Sequence, residues 1–474
     1  MNDALARALR YAVGPAHLLT DPGDLAGYAS DGRGVTGRPL GVVRPASAQE
    51  IAAVLRAAHA AGVRVVPQGA RTGLVAAGIA GADADLLVLN LDRLARPPAI
   101  DPVNRTAEVD AGVRLSALNA AALPHGLSFP IDLGADPSIG GMIGANTGGA
   151  RLLRYGDVRR NLLAIEVVTS EAEPRVLQLG APLWKNNTGI DLKQLLVGSA
   201  GALGVVTRAT LALSPLAPTR VTAMLALDRD ETAVDLLLAL EASFGTLLTA
   251  FEGISAPALD AALTHVPRLR DPFAGQRPAY TVLVELSAGA AFDVEWLEER
   301  LGDALAPWME RGAVVDAMLD RRDDLWAIRH AVPEGLRASG KVVACDIALR
   351  RGDVMRFRSD LAARVRAVAP QLRLCDFGHI GDGGLHFNMV WPADAGPFDP
   401  AVAEAARATV FRAVVGEYGG SFSAEHGIGP ANAAWYTELV PEPVRSLSGA
   451  LQRLLAPVPI GRVDFHDPVL GDRA

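Results

Sequence analysis

A chain of 474 residues, half of them hydrophobic and 21% charged, has an ordinary globular composition and length for two or three domains. Its formal charge of −8, without a Lys/Arg cluster, argues against a nucleic-acid partner, since counterion release needs a basic surface. Two cysteines without CxxC spacing, Cys345 and Cys375, exclude a disulfide framework and fit a reducing compartment.

The N-terminus, MNDALARALRYAVGP, mixes acidic and basic residues without an apolar core, so it reads as neither signal nor transit peptide. No apolar run approaches the roughly 18 residues of a membrane span, and the expected location is the cytoplasm. Residues 1–34 are expected to form a helical extension. Next, GVVRP at 41–45 reads as a strand and Ser47-Ala48-Gln49-Glu50 as a capping box. The helix it opens repeats Ile51, Val54, Leu55 and Ala58 on one face and ends at Gly62. A strand at 63–66 then enters PQGARTGLVAAG. There Gly69, Gly73 and Gly78 permit a nest of inward amides for phosphate oxygens, with Arg71 and Thr72 as further donors; a plain glycine-rich loop is the alternative. The segment is neither a Walker loop nor GxGxxG.

Two more glycine-dense stretches follow, 129–149 and 186–207. Their glycines recur too often for helix interiors, and Ser138, Ala145, Thr147 and Ser199 permit close backbone approach. Gly198, Gly201 and Gly204 have the wrong spacing for a dinucleotide fingerprint and precede a strand, VVTRATLAL. In order, VVRPASAQEI, VVPQGARTGLVAAG, FPIDLGADPSIGGMIGANTGG, YGDVRRNLLAIEVV and VGSAGALGVVT resemble the FAD-binding domain of the vanillyl-alcohol oxidase and p-cresol methylhydroxylase superfamily. The resemblance implies FAD held through Pro67, Gln68, Gly69, Ala70, Arg71, Thr72, Gly73, Asp132, Gly134, Ser138, Gly141, Ala145, Gly148, Gly201, Gly204 and Val206. Ala200, Ala202 and Met142 depart from the usual pattern, and no His or Cys stands where relatives attach FAD covalently, so a noncovalent cofactor is expected.

Beyond the link SPLAPTR at 214–220, VTAMLALD and AYTVLVELS alternate as strands, and segments at about 231–243, 293–311 and 354–368 have helical periodicity. The fold class expected is α+β: a two-subdomain FAD-binding domain of the p-cresol methylhydroxylase type at 35–215, then an α+β cap domain of the FAD-linked oxidase C-terminal kind at 216–474. In CDFGHIGDGGLHFNM, His379 and His386 are seven apart around Gly381, Gly383 and Gly384. Glycines rule out a helix and a straight strand would point the imidazoles to opposite faces, so only a turn, with Asp382 at its tip in a structural role, brings them together. With Glu425, which precedes His426 in SFSAEHGIG, they offer a His2Glu set for zinc or another divalent ion. Read alone, the histidines could equally be packed loop residues, Glu425 a solvated carboxylate, and Arg329 the partner of Asp323 or Asp324.

PQGARTGLV, LWAIRHAV, GHIGDGGLHFNM and SAEHGIG together resemble the FAD-linked D-2-hydroxyacid dehydrogenases over nearly the full length. That resemblance implies metal ligands at His379, His386 and Glu425, with zinc or manganese as the ion. It further implies a base at His426, a carboxylate-binding Arg329 and a substrate-holding Asn388. The implied reaction is oxidation of a D-2-hydroxy acid to the 2-oxo acid by hydride transfer to flavin N5, in a group that includes D-lactate, glycolate-type and D-2-hydroxyglutarate dehydrogenases. The electrons would pass to a quinone, an electron-transfer protein or a dye, or in an oxidase variant to oxygen, and a homodimer is the candidate assembly. Pro333, Ala344, Gly384, Asn432 and the PIGRV of 459–463 depart from the family pattern and allow a different hydroxy acid. A flavin-binding subunit of a larger redox complex, inactive alone, is the alternative; a zinc hydrolase is a remote third.

Overall fold

The computed structural model describes residues 1–320 and 322–465. The chain forms two compact units. The first combines Met1–Gly148, Gly156–Leu216 and residues 426–465; the second combines Gly149–Tyr155 with Ala217–Glu425. The division after Leu216 falls one residue from the 215/216 boundary drawn from the sequence, whereas residues 1–34 group with the first unit, as does the stretch that begins at His426.

In the first unit, α1 (Asp3–Val13) buries Leu5, Leu9 and Val13 in one core with Ile51, Val54 and Leu55 of α2 (Ala48–Ala60). The N-terminal helix is therefore part of this core. Ser47 accepts from Glu50 N at 3.1 Å, but the Glu50 carboxylate accepts from Ala46 N at 2.8 Å, one residue further back than a capping box requires. A four-stranded sheet orders β1 (Leu18–Leu19), β2 (Gly41–Val43), β4 (Leu87–Asn90) and β3 (Val65–Gln68), with β2 and β3 both parallel to β4. The expected strand at 63–66 thus lies two residues later and includes Pro67. A proline is tolerated there because β3 is at the sheet edge.

A five-stranded antiparallel sheet follows, ordered β5 (Ala99–Asp101), β6 (Thr106–Asp110), β9 (Val205–Ala212), β7 (Leu162–Val168) and β8 (Val176–Gly180). The glycine-rich stretch at 129–149 contains a short helix, α3 (Ile139–Ala145), contrary to expectation. Tertiary packing overrides propensity here: Ile139, Met142 and Ile143 are buried, and Ser138 caps the helix by accepting from Gly141 N. Gly140 sits so close to β6's end that a Cβ would lie 2.8 Å from that of Ala111.

The second unit begins with the short helix α4 (Leu152–Tyr155). Its antiparallel sheet of seven strands runs β13 (Val314–Asp320), β10 (Thr219–Leu227), β12 (Tyr280–Ala288), β11 (Leu248–Ser255), β15 (Phe377–Gly378), β16 (Gly384–His386) and β14 (Asp346–Ala348). The helices are α5 (Thr232–Phe244), α6 (Ala256–His265), α7 (Val294–Glu310), α8 (Asp324–Ser339) and α9 (Val354–Val368). Met224, Ile254, Leu283 and Phe377 of the sheet pack against Leu259, Trp326, Val332 and Leu336 of α6 and α8. The two helices approach closely at Gly335, where a Cβ would meet Ala261 O at 2.5 Å.

Candidate functional site

The turn between β15 and β16 spans residues 379–383, and Phe377 pairs with His386 across it. His379 O accepts from the backbone N–H of Asp382, Gly383 and Gly384 at 3.0–3.1 Å, and Asp382 Oδ1 accepts from Gly384 N at 2.8 Å. Asp382 therefore serves the turn, and Gly384 leaves room for it: a Cβ would lie 2.9 Å from that oxygen. The folded turn sets the two imidazoles edge to face with ring centroids 5.4 Å apart.

Glu425 completes the cluster. Its Oε1 lies 3.4 Å from His379 Nε2 and its Oε2 3.9 Å from His386 Nε2. One ligand atom from each of the three residues falls within 4.8 Å of the others. The opposite ring nitrogens face carboxylates, His379 Nδ1 at 2.7 Å from Glu252 Oε1 and His386 Nδ1 at 3.5 Å from Asp346 Oδ1. Carboxylates on the far side of ligating imidazoles are the usual outer shell of a metal site, fixing tautomer and ring orientation. Asp346 also accepts from Glu425 N at 2.9 Å and so anchors the ligand-bearing loop. The donor set and its outer shell fit a divalent ion such as zinc.

Burial alone would make His379 less basic, but the Glu252 and Glu425 carboxylates outweigh it and raise the imidazole well above its ordinary value. Burial pushes Glu252 and Glu425 upward, yet each is held down to about 2, Glu252 by His379 and Arg329 and Glu425 by His379. Both carboxylates are thus ionised across the physiological range.

Arg329, on α8, is 6% exposed. Its partner is Glu252, whose Oε2 accepts from Nε at 2.7 Å, rather than Asp323 or Asp324. Its guanidinium also lies 4.8 Å over the Phe377 ring. Its two terminal nitrogens have no partner among the described residues, which leaves the end of the fork for a ligand carboxylate. Asn388 Oδ1 accepts from Cys345 N at 3.3 Å. Both cysteines are buried and unbridged, and burial raises the Cys375 thiol to about 12, so it is no nucleophile at neutral pH.

In the first unit, a cavity of about 290 Å³ is lined by Gly27, Tyr28, Gly69, Ala70, Arg71, Asp92, Gly112, Arg114 and Ser138. It joins the loop after β3 to the cap of α3. Gly69 is needed at the junction, since a Cβ would lie 2.2 Å from Ser138 Oγ. The third glycine segment docks alongside: Gly198 N and Ala200 N donate to Ile143 O and Gly144 O at 2.9 and 2.8 Å, and a Cβ on Gly201 would lie 3.4 Å from the Pro67 ring. Backbone amides and Arg71 in such a concavity suit a pyrophosphate, so the residues fit FAD.

Not every expected residue reaches that cavity. Gln68 spends its side chain on scaffolding, donating to Tyr28 O and Gly78 O at 2.9 and 2.7 Å and accepting from Asn90 Nδ2 at 3.0 Å. Pro67, Thr72, Gly73, Asp132, Gly134, Gly141, Ala145, Gly148, Gly201, Gly204 and Val206 are likewise absent from the lining. Gly204 instead approaches β7, where a Cβ would meet Val168 O at 3.0 Å. Tyr28, whose ring lies 5.3 Å under the Arg71 guanidinium, was not singled out in the sequence; no motif marks it.

His426 is the first residue of the returning segment, its Nδ1 3.4 Å from Arg33 Nη2. Past it, Gly429 presses on the glycine loop, where a Cβ would meet Val75 O at 2.3 Å. Asn432, one of the departures from the family pattern, closes the HGIG turn by accepting from Gly429 N at 2.9 Å and donating to Gly427 O at 2.8 Å.

Residues 39–178 match the FAD binding domain family, and residues 216–459 match the C-terminal domain of FAD linked oxidases. A D-2-hydroxyglutarate dehydrogenase of Xanthomonas citri pv. viticola is 36% identical over 436 residues, 90% of this chain and 89% of that protein. This chain belongs to the FAD-linked D-2-hydroxyacid dehydrogenases. A second relative, the D-2-hydroxyglutarate dehydrogenase of Stutzerimonas stutzeri, is 35% identical over 443 residues, 90% of this chain and 91% of that one. The mitochondrial enzyme of Bos taurus is 33% identical over 88% of this chain and 75% of its own. Among solved structures, p-cresol methylhydroxylase with substrate bound superposes with a TM-score of 0.71 at 15% identity, covering 96% of this chain and 94% of that one. An alkyldihydroxyacetonephosphate synthase also gives 0.71, at 17% identity over 96% and 85%. These two show the fold, that of the p-cresol methylhydroxylase type with an α+β C-terminal domain. Among the described residues no helix is long and apolar enough to cross a membrane.

Proposed function

We propose that this protein oxidises a D-2-hydroxy acid to the 2-oxo acid, with noncovalent FAD as hydride acceptor and a divalent ion, zinc or manganese, at His379, His386 and Glu425. The observation that carries the metal assignment is the convergence of those three side chains within 4.8 Å, backed by Glu252 and Asp346. When bound, FAD supplies the two-electron acceptor and the ion lowers the pKa of a hydroxyl beside it.

The chain's own residues do the rest. The free end of the Arg329 fork takes the substrate carboxylate, and the Asn388 amide adds a polar contact. His426 accepts the hydroxyl proton, which must leave as hydride departs from the α-carbon. The amides of Gly69 to Arg71, Ser138 at the cap of α3, and Gly201 hold FAD. Electrons then pass to a quinone, an electron-transfer protein or a dye. D-2-hydroxyglutarate is the first acid to test because the relatives carry that name. Pro333 and Ala344 stand where a second carboxylate clamp is expected, so smaller acids such as D-lactate belong in the same panel.

The test is an anaerobic absorption titration of the purified flavoprotein with D-2-hydroxy acids, before and after chelator. One acid should bleach the flavin band, chelation should abolish bleaching, and zinc or manganese should restore it. A flavin band that no acid bleaches would sink the reading.

A further inference from the structure

The geometry points to Glu252 as a positioning residue that holds the metal-ligating histidine and the carboxylate-binding arginine in register; this rests on the function proposed above. Glu252 sits in the middle of β11 and is 1% exposed. Its two oxygens are divided between two partners, Oε1 at 2.7 Å from His379 Nδ1 and Oε2 at 2.7 Å from Arg329 Nε.

An ionised carboxylate is acceptor-only, so both partners must be donors. His379 therefore donates from Nδ1, which leaves Nε2, 3.4 Å from Glu425 Oε1, as the nitrogen that would face an ion. Arg329 is fixed through Nε, so that only its terminal nitrogens remain to meet a carboxylate. A single rigid side chain thereby sets the distance between the site where an ion would take the substrate hydroxyl and the fork that would take its carboxylate, two groups borne on adjacent carbons of a 2-hydroxy acid. Small misplacement of such groups costs rate steeply.

Glutamine keeps the volume but offers one acceptor oxygen for two donors. Either Arg329 loses its anchor, or the amide N–H faces His379 and forces the proton to Nε2, where it blocks the metal. Glu252→Gln should therefore weaken zinc or manganese affinity of the holoprotein by about 10- to 100-fold and raise KM for D-2-hydroxyglutarate about tenfold, with FAD content unchanged. Glu285→Gln is the structural control. Glu285 is equally buried on the neighbouring strand β12 and bound to Arg151, so it should lose stability without losing metal affinity. Metal affinity is measured by competition with a chelator, independent of turnover.

Wild-type protein that binds metal while Glu252→Gln binds it equally well overturns the inference. So does an equal loss of affinity in Glu285→Gln. Wild-type protein that binds neither ion and is reduced by no D-2-hydroxy acid overturns the proposed function instead. If Glu252→Gln does not fold, the nitrogen NMR spectrum of histidine-labelled, zinc-loaded wild-type protein decides: His379 with Nδ1 protonated and Nε2 ligated supports the inference, and the reverse pattern refutes it.

Discussion

Substituting Arg358 by methionine should destabilise the second unit far more than loss of one side chain's packing. Arg358 on α9 is buried against Asp376, which is 1% exposed; Nη2 donates to Asp376 Oδ1 at 3.2 Å, a second nitrogen binds Asp230, and the guanidinium lies 4.2 Å over the Tyr280 ring. Methionine fills much of the stem's volume but leaves Asp376 a charge without its cation. Stranding one partner of a buried pair costs about 3–5 kcal/mol, and the lost ring contact adds roughly 0.5–2 kcal/mol. A loss of about 4 kcal/mol, nearly a thousandfold in the folded-to-unfolded ratio, is expected. Guanidinium unfolding followed by tryptophan fluorescence measures it, since Trp296, Trp308, Trp326 and Trp391 all lie in the second unit. Asp376 O also accepts from Ser255 N at 3.0 Å, and residue 376 immediately precedes β15 and the His379 turn, so metal affinity should fall as well. The decisive comparison is Arg358→Met with Asp376→Asn. Removing the stranded charge should recover about 2 kcal/mol or more. A single variant within about 1 kcal/mol of wild type, or a double variant whose losses simply add, would refute the reasoning.

Arg329→Lys keeps the charge but loses the planar fork, and should raise KM for the hydroxy acid roughly 10- to 100-fold; steady-state kinetics showing an unchanged KM would remove Arg329 from substrate binding. Gly69→Ala drives a methyl to 2.2 Å from Ser138 Oγ and should yield protein with little flavin, read from the ratio of visible to ultraviolet absorbance; normal flavin content would move the cofactor elsewhere. Asp110 is 4% exposed; burial pushes it up, but the bidentate Arg96 guanidinium, 2.6 and 2.8 Å away, holds it below its usual value. A depressed carboxylate stabilises above its unfolded pKa of about 3.9 and loses that contribution as pH falls through its lower folded value. Asp110→Asn should therefore lower stability at neutral pH and flatten the acid limb of a denaturation series below about pH 4; parallel curves would contradict this.

Periodic elements were legible because one physical cause dominated them. The helices expected at 231–243, 293–311 and 354–368 appear as α5, α7 and α9 with ends within a residue or so, since a buried stripe at 3.6-residue spacing has few other solutions. In α3 the buried contacts of Ile139, Met142 and Ile143 outweigh three glycines, a tertiary effect that no local rule contains. The turn carrying His379 and His386 could be read from its glycines. Glu252 could not be read from a motif, because its partners come from positions 329 and 379, distant in sequence. It did leave a trace: a lone carboxylate inside LTAFEGIS, a run otherwise fit for a buried strand, is costly unless something pairs it. Glu285 in AYTVLVELS leaves the same trace.

Three buried carboxylates along this sheet are each met by an arginine on or beside a different helix: Glu252 by Arg329 of α8, Glu285 by Arg151 just before α4, and Asp376 by Arg358 of α9. Buried pairs of this kind are poor investments for stability alone, because apolar residues of similar volume often do as well or better. What they supply is orientation, since a guanidinium bound to a fixed carboxylate admits few rotations and pins the element that carries it. For Asp376 the pinned partner is Arg358; Glu285 has Arg220 at 3.9 Å besides Arg151, with Trp326 Nε1 donating to it at 2.9 Å as a further tether. Glu252 alone of the three also holds a histidine of the His2Glu cluster. An apolar replacement could restore the packing at 252, but it would free His379 to choose its tautomer and Arg329 to choose its direction. The same kind of pairing that elsewhere in the sheet serves the fold would, at Glu252, also serve the proposed chemistry.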